Sequence, residues 1–286
     1  MPQPPPIREA ERLLSEDWGV DSLPIKPIDI ATRCSIECQA MPSPKGGVSG
    51  MLVKAGDSFG ILYATHIPVA GFQNFSIAHE LGHYFLPDHP DYVFRGGDIH
   101  ESSAGFSSED KFEKQADQFA CGLLMPSYLF DPELDKAGTG MDAVLKMADI
   151  CGTSRTATAI RYAQRHSEPT AIIISTNGVI DYCFMSDELK YLKDITWPKK
   201  GVAVPRGSRT KAMTPQQVLN GDRLENDTDM ASWFQLDRSI SIYEEVIGLG
   251  NYGKTLTVLS LESLPTEDEE DEEEELQESW TPRFRR

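Results

Sequence analysis

The segment Ala78-His79-Glu80-Leu81-Gly82-His83-Tyr84 constrains this chain more than any other. Two histidines four residues apart lie on one face of a helix, one turn above the other, so both rings can reach a common point. The surrounding sequence predicts such a helix. Asn74 is a candidate N-cap, and Pro87 disfavours continuation beyond the preceding residue. A second helix is predicted from about Ser108 to Leu124, with Phe112, Ala116, Phe119 and Leu123 on one face and Pro126 as its stop.

Around this pair the chain divides in two. Residues 7–18 carry Ile7, Ala10, Leu14 and Trp18 at helical spacing, and Pro27 suits the first turn of a short helix. Val48 to Lys54 and Phe59 to Ala64 read as a hairpin turning at Gly56-Asp57. Residues 88–108, rich in Gly, Ser, Asp and His, read as a loop. Helices at 141–149 and 154–165 flank Cys151-Gly152-Thr153 and resemble a helix-turn-helix, with Arg155, Arg161 and Arg165 as a basic stripe. A structural helical pair is the simpler reading of the same pattern. From Pro169 strands dominate: Ala171 to Ser175 and Val179 to Phe184 around Asn177-Gly178, then Ile240 to Ile247 and Thr255 to Leu261. The expected class is α+β: a zincin-like helical and β-hairpin domain over 1–168, a smaller α+β domain over 169–264, and a disordered acidic tail over 265–286. Trp197, Trp233 and Phe234 are expected in the core of the second domain.

Charge narrows the partners. The formal net charge is −18, and residues 267–278 hold ten acidic side chains and no basic one. Such a block repels itself and resists packing. The rest of the chain is also acidic, which argues against direct DNA binding. No run approaches the roughly 18–20 apolar residues that span a bilayer, so no membrane role is expected. The N-terminal segment has neither the basic flank nor the apolar stretch of a secretory signal. Five cysteines without scaffold spacing suit a reducing cytoplasm. Cys34 and Cys38 alone make a poor metal site and read better as small apolar thiols.

The chemistry follows from the first helix. His79 and His83 can bind one Zn²⁺ at about 2.0–2.1 Å each, and a catalytic site needs a third protein ligand and one open position. Glu80 points away from the ligand direction and suits the general base for a metal-bound water, the H-E-x-x-H arrangement of zinc peptidases. The second helix offers Glu113 as third ligand. Asp117, one turn on, is assigned to hold the outer nitrogen of His79. Zn²⁺ suits the His/His/Glu set, and Mn²⁺ remains an alternative. A further donor for the scissile carbonyl is sought among Tyr84, Tyr92, His66, His89 and His100, with His100 foremost because it lies between the ligand helices.

The run Phe75 to Tyr84, with Glu113-Lys114-Gln115-Ala116-Asp117-Gln118-Phe119-Ala120 and Leu123-Leu124-Met125-Pro126, resembles the ImmA/IrrE family of metallopeptidases. The resemblance covers about residues 7–165 and takes in the Val48-Ser49-Gly50 strand. It implies metal ligands His79, His83 and Glu113, a catalytic Glu80, and a helix-turn-helix repressor as protein substrate. It also implies that an edge strand, here Phe59 to Ala64, holds the substrate extended. The competing reading is a non-catalytic, metal-stabilised protein that binds a repressor or antitoxin-like partner. Glu80 separates the two, because a scaffold has no chemical need for it.

Overall fold

The computed structural model describes residues 5–41, 47–102, 110–192 and 195–262. The acidic tail and the start of the second predicted helix at Ser108 lie outside the described residues. Among those residues the chain is mixed α+β, with twelve α-helices and two sheets. It divides into two compact units, Met1–Arg165 and His166–Arg286.

The first unit opens with α1 (Pro6–Arg12), which runs on as a π-helical turn to Asp17, and α2 (Pro27–Arg33). Both α-helices carry proline in the first turn, where its missing N–H costs nothing. A four-stranded sheet follows: β1 (Glu37–Met41), β2 (Gly50–Ala55), β3 (Ser58–Ala64) and β4 (Ile99–Ser102), in the order β1-β3-β2-β4. β2 and β3 form the hairpin expected around Gly56, whose φ is +62°. β3 is not an edge strand, however. β1 pairs with it in parallel on its far side, so Phe59 to Ala64 has no open edge for a substrate. Among the described residues the edges belong to β1 and β4, and β4 pairs antiparallel with β2 and places His100 opposite Leu52.

β4 and a short helix α4 (His89–Val93) both lie in the stretch read from sequence as a loop. α3 (Ala70–Phe85) also begins a turn earlier than Asn74 predicts. Its N-cap is Val69, with no side-chain cap. The first turn is held instead by packing: a Cβ on Gly71 would meet the Thr153 carbonyl carbon at 2.4 Å. Asn74 sits inside the helix and donates to the Gly152 carbonyl at 3.0 Å.

α5 (Lys111–Leu124) lies directly against α3. At the crossing, a Cβ on Gly82 would lie 3.0 Å from Ala116 Cα, so two small residues let the backbones approach closely. This contact brings the two sets of candidate ligands face to face. α6 (Ser127–Ala137), unforeseen in the sequence because Pro126 and Pro132 bracket its first turns, leads to α7 (Gly140–Cys151) and α8 (Arg155–Arg165). The α7–α8 turn uses Gly152 at φ +62°. Arg161 is buried and structural: its Nε donates to Met125 O at 3.0 Å, and its guanidinium reaches Glu11 at 2.9 Å. Arg165 pairs with Asp131. The supposed basic stripe is thus largely spent on internal partners.

The second unit is an antiparallel sheet in the order β6-β5-β9-β8-β7, from β5 (Thr170–Thr176), β6 (Val179–Met185), β7 (Arg223–Asp229), β8 (Ser241–Gly248) and β9 (Lys254–Ser260). Asn177 and Gly178 both take positive φ in the first hairpin. Ala171, Ile173, Met185, Trp233, Phe234 and Leu259 belong to one buried cluster. Trp197 departs from expectation: it is 40% exposed, held by a 3.2 Å bond from Nε1 to Cys183 O. The five cysteines are free, and burial pushes Cys38 up to about 11, and Cys121 and Cys151 up to about 12, so these three are thiols rather than thiolates. No helix among the described residues is long and apolar enough to cross a membrane.

Candidate metal centre

His79, Glu80 and His83 sit in the C-terminal half of α3, each no more than 1% exposed. Glu113 stands in the first turn of α5, whose N-cap Asp110 accepts from Phe112 N at 2.7 Å and Glu113 N at 3.3 Å. The cap therefore fixes the backbone that carries the carboxylate. Ligand-capable atoms of His79, His83 and Glu113 all lie within 4.8 Å of one another. The two Nε2 atoms are 3.1 Å apart. Glu113 reaches His79 Nε2 with one oxygen and His83 Nε2 with the other, each at 3.3 Å.

The outer nitrogens show which way the rings face. His79 Nδ1 lies 2.8 Å from Asp117 Oδ1 and donates there, which turns Nε2 toward Glu113. His83 Nδ1 meets His89 Nδ1 at 3.1 Å. A proton on His79 Nε2 joins the two rings and the carboxylate at these separations, and a bound cation would take its place. The donor set fits a divalent ion of the zinc type, with both imidazoles able to bind it at about 2.0–2.1 Å. Burial alone would lower the His79 pKa, but hydrogen bonds to Asp117 and Glu113 outweigh it and raise it to about 10. Burial dominates at His83 and lowers it to about 3. Burial works against the charged form of Glu113, yet its contacts with His100, His79 and His83 hold it well below the usual carboxylate range.

Glu80 lies beside this cluster, fully buried; among the described residues neither oxygen has a hydrogen bond of ordinary geometry, and the Ser102 hydroxyl is the polar side chain that favours its charged form. An orphaned buried carboxylate is costly and rarely kept without a use. Burial pushes its pKa to about 7, with His79 and His100 pulling the other way. It packs against Gly50, where a Cβ would lie 2.5 Å from Oε1.

Of the five sequence candidates for a further donor, the structure brings one to the rim. His100, on β4, lies 3.2 Å from Glu113 Oε1. His89 is buried behind His83, not beside the cluster. Tyr92 donates to Asp110 at 2.5 Å, Tyr84 packs edge-on to Phe59, and His66 is exposed. Gln115, which touches His89 Nε2 at 3.2 Å, was not singled out by sequence reasoning. No spacing rule marks it, because residues two apart on a helix do not share a face.

Residues 69–162 match the peptidase M78 family model, described as the IrrE N-terminal-like domain. No curated protein matches the chain in sequence. Among solved structures, a Mycobacterium tuberculosis transcriptional regulator shares the fold with a TM-score of 0.58 at 14% identity, over 89% of this chain and 76% of that one. At that identity the likeness speaks to the fold alone. The matched segment spans α3 and α5 with all the clustered side chains between them, so residues 69–162 carry a metallopeptidase domain of the IrrE N-terminal-like type.

Proposed function

We propose that the chain is a metal-dependent endopeptidase acting in the cytoplasm on a protein regulator of transcription, a helix-turn-helix repressor being the favoured substrate. The observation that carries the reading is Glu80: a fully buried carboxylate with no ordinary hydrogen bond among the described residues, beside a His79/His83/Glu113 cluster fit for a divalent ion. Zn²⁺ is the favoured ion and Mn²⁺ the alternative. Held by these three ligands, the ion would supply a water acidic enough to attack a peptide carbonyl near neutral pH. Glu80, with a pKa near 7, can take the water's proton and return it to the leaving amine. Asp117 holds His79 in its ligating tautomer. His100 stands at the rim, where its ring can donate to the carbonyl oxygen as charge develops.

Among the described residues β4 is a sheet edge, and such an edge suits an extended substrate segment paired by backbone hydrogen bonds. A peptide on that edge passes His100 and lies within reach of the cluster. A structural neighbour with this fold is a transcriptional regulator, and the proposal takes its regulatory setting from there.

The test is co-expression of candidate repressors from the same genome with wild type or Glu80→Gln, read by intact mass. A repressor shortened at one bond by wild type and left whole by Glu80→Gln is the expected result. A partner bound by both and cut by neither would move the account to the scaffold reading.

A further inference from the structure

His83 differs from His79 in what holds its outer nitrogen. His79 leans on a carboxylate, whereas His83 Nδ1 faces His89 Nδ1 at 3.1 Å, and His89 Nε2 faces Gln115 Oε1 at 3.2 Å. The three groups form a line from α5 through α4 to the cluster. His89 is 1% exposed and meets the Phe112 ring edge-on at 5.0 Å. α4 is itself anchored: Tyr92 donates to Asp110 and stacks on Phe112 with ring centroids 3.9 Å apart. His89 is thus placed by packing rather than left at a loop tip.

Resting on the metal-site reading, we propose that His89 is a positioning residue for that site: it fixes the ligating tautomer of His83, with Gln115 fixing His89 in turn. Two ring nitrogens face to face at 3.1 Å require one proton between them. None leaves two lone pairs opposed, and two leaves a pair of N–H groups in collision. The Gln115 carbonyl oxygen accepts the proton on His89 Nε2. That leaves His89 Nδ1 bare, to accept from His83 Nδ1–H, and turns the His83 Nε2 lone pair toward His79 and Glu113. The reverse arrangement ends with a proton on His83 Nε2 and removes it as a ligand. Only one polarity of the line is compatible with a metal at the cluster.

The choice of a neutral partner also has a charge consequence. Glu113 and Asp117, with Glu80 once it ionises beside a cation, already bring at least the two negative charges that balance a divalent ion. A carboxylate in place of His89 would add one more in a buried site, where uncompensated charge is costly.

The far side of His89 and Gln115 borders a small cavity of about 120 Å³, also lined by Glu9, Phe85 and Leu86. A side chain substituted at 89 therefore has room to settle without overpacking. Asparagine suits the test because its amide oxygen can occupy the place of Nδ1 and accept from His83. Leucine fills similar space and accepts nothing.

The experiment measures Zn²⁺ dissociation constants at pH 7, by competition with a chromophoric chelator, for wild type, His83→Ala, His89→Leu, His89→Asn and Gln115→Met. Melts of the metal-free forms accompany it. The expected loss for His89→Leu is about 10–100-fold, with His89→Asn recovering most of it and Gln115→Met falling between them. If the leucine variant melts low, the asparagine variant still decides: recovery of affinity supports the proposal. Affinity as weak in His89→Asn as in His89→Leu, with both melting like wild type, would overturn it. Wild-type binding that is lost in His83→Ala but intact in His89→Leu would overturn this proposal alone. A wild type that binds no ion would overturn the metal-site reading along with it.

Discussion

Replacing Gly50 with alanine perturbs one distance in the site. The new Cβ would lie 2.5 Å from Glu80 Oε1 and 3.2 Å from Cγ and Cδ, whereas ordinary contact begins at 3.4 Å. The carboxylate must retreat by about 0.9 Å, the difference between those two values. Gly50 is in extended β2 and not among the positive-φ residues, so alanine meets no backbone penalty. Relief from glycine's entropy contributes roughly 0.5–1 kcal/mol, against roughly 1–3 kcal/mol for crowding. The net change in stability is therefore a loss of roughly 0–2.5 kcal/mol, which the thermal melt reads. The effect on a positioned base is read separately: a displacement near 1 Å can cost about 10²-fold in rate. Glu80 is not among the clustered ligand residues, so metal content should hold. The assay is the cleavage rate of the substrate found by co-expression, measured beside metal content and a thermal melt. A Gly50→Ala enzyme with normal metal and a rate within a few-fold of wild type would refute the placement of Glu80 as base.

The two carboxylates of α5 should behave differently. Glu113→Ala should abolish metal binding, while Asp117→Ala should weaken it by about 10–100-fold, and dissociation constants in the opposite order would exchange their roles. Metal binding should also release protons. His79, raised to about 10, carries a proton at pH 7 that a metal displaces, and Glu80, near 7, is about half protonated and gives up more beside a cation. Calorimetry in buffers of different ionisation heat should report roughly one to two protons released per ion at pH 7. A value near zero would mean that His79 is already neutral in the metal-free protein.

The ligand helices were legible in the sequence because their geometry is local. Four-residue spacing puts His79 with His83, and Glu113 with Asp117, on single helix faces whatever the rest of the chain does. What surrounds them was not legible, because it depends on pairings across long separations. β4 is four residues in a polar stretch and becomes a strand by pairing with β2, some fifty residues earlier. β3 read as an edge because β1, a short Glu-Cys-Gln-Ala-Met run, shows no clean alternation. β7 was hidden for the same reason, being almost entirely polar. The supporting roles of His89 and Gln115 follow from α4 packing on Phe112, a tertiary contact that no spacing rule reports. The start of α3 was misplaced because its first turn is stabilised by the Thr153 backbone rather than by a cap.

Elemental analysis of purified protein tests the central claim most directly. Wild type and Glu80→Gln should each carry about one divalent ion per chain, because three side chains from two helices hold it and Glu80 does not. His83→Ala should carry almost none. Full metal content in His83→Ala, or its loss in Glu80→Gln, would contradict the account.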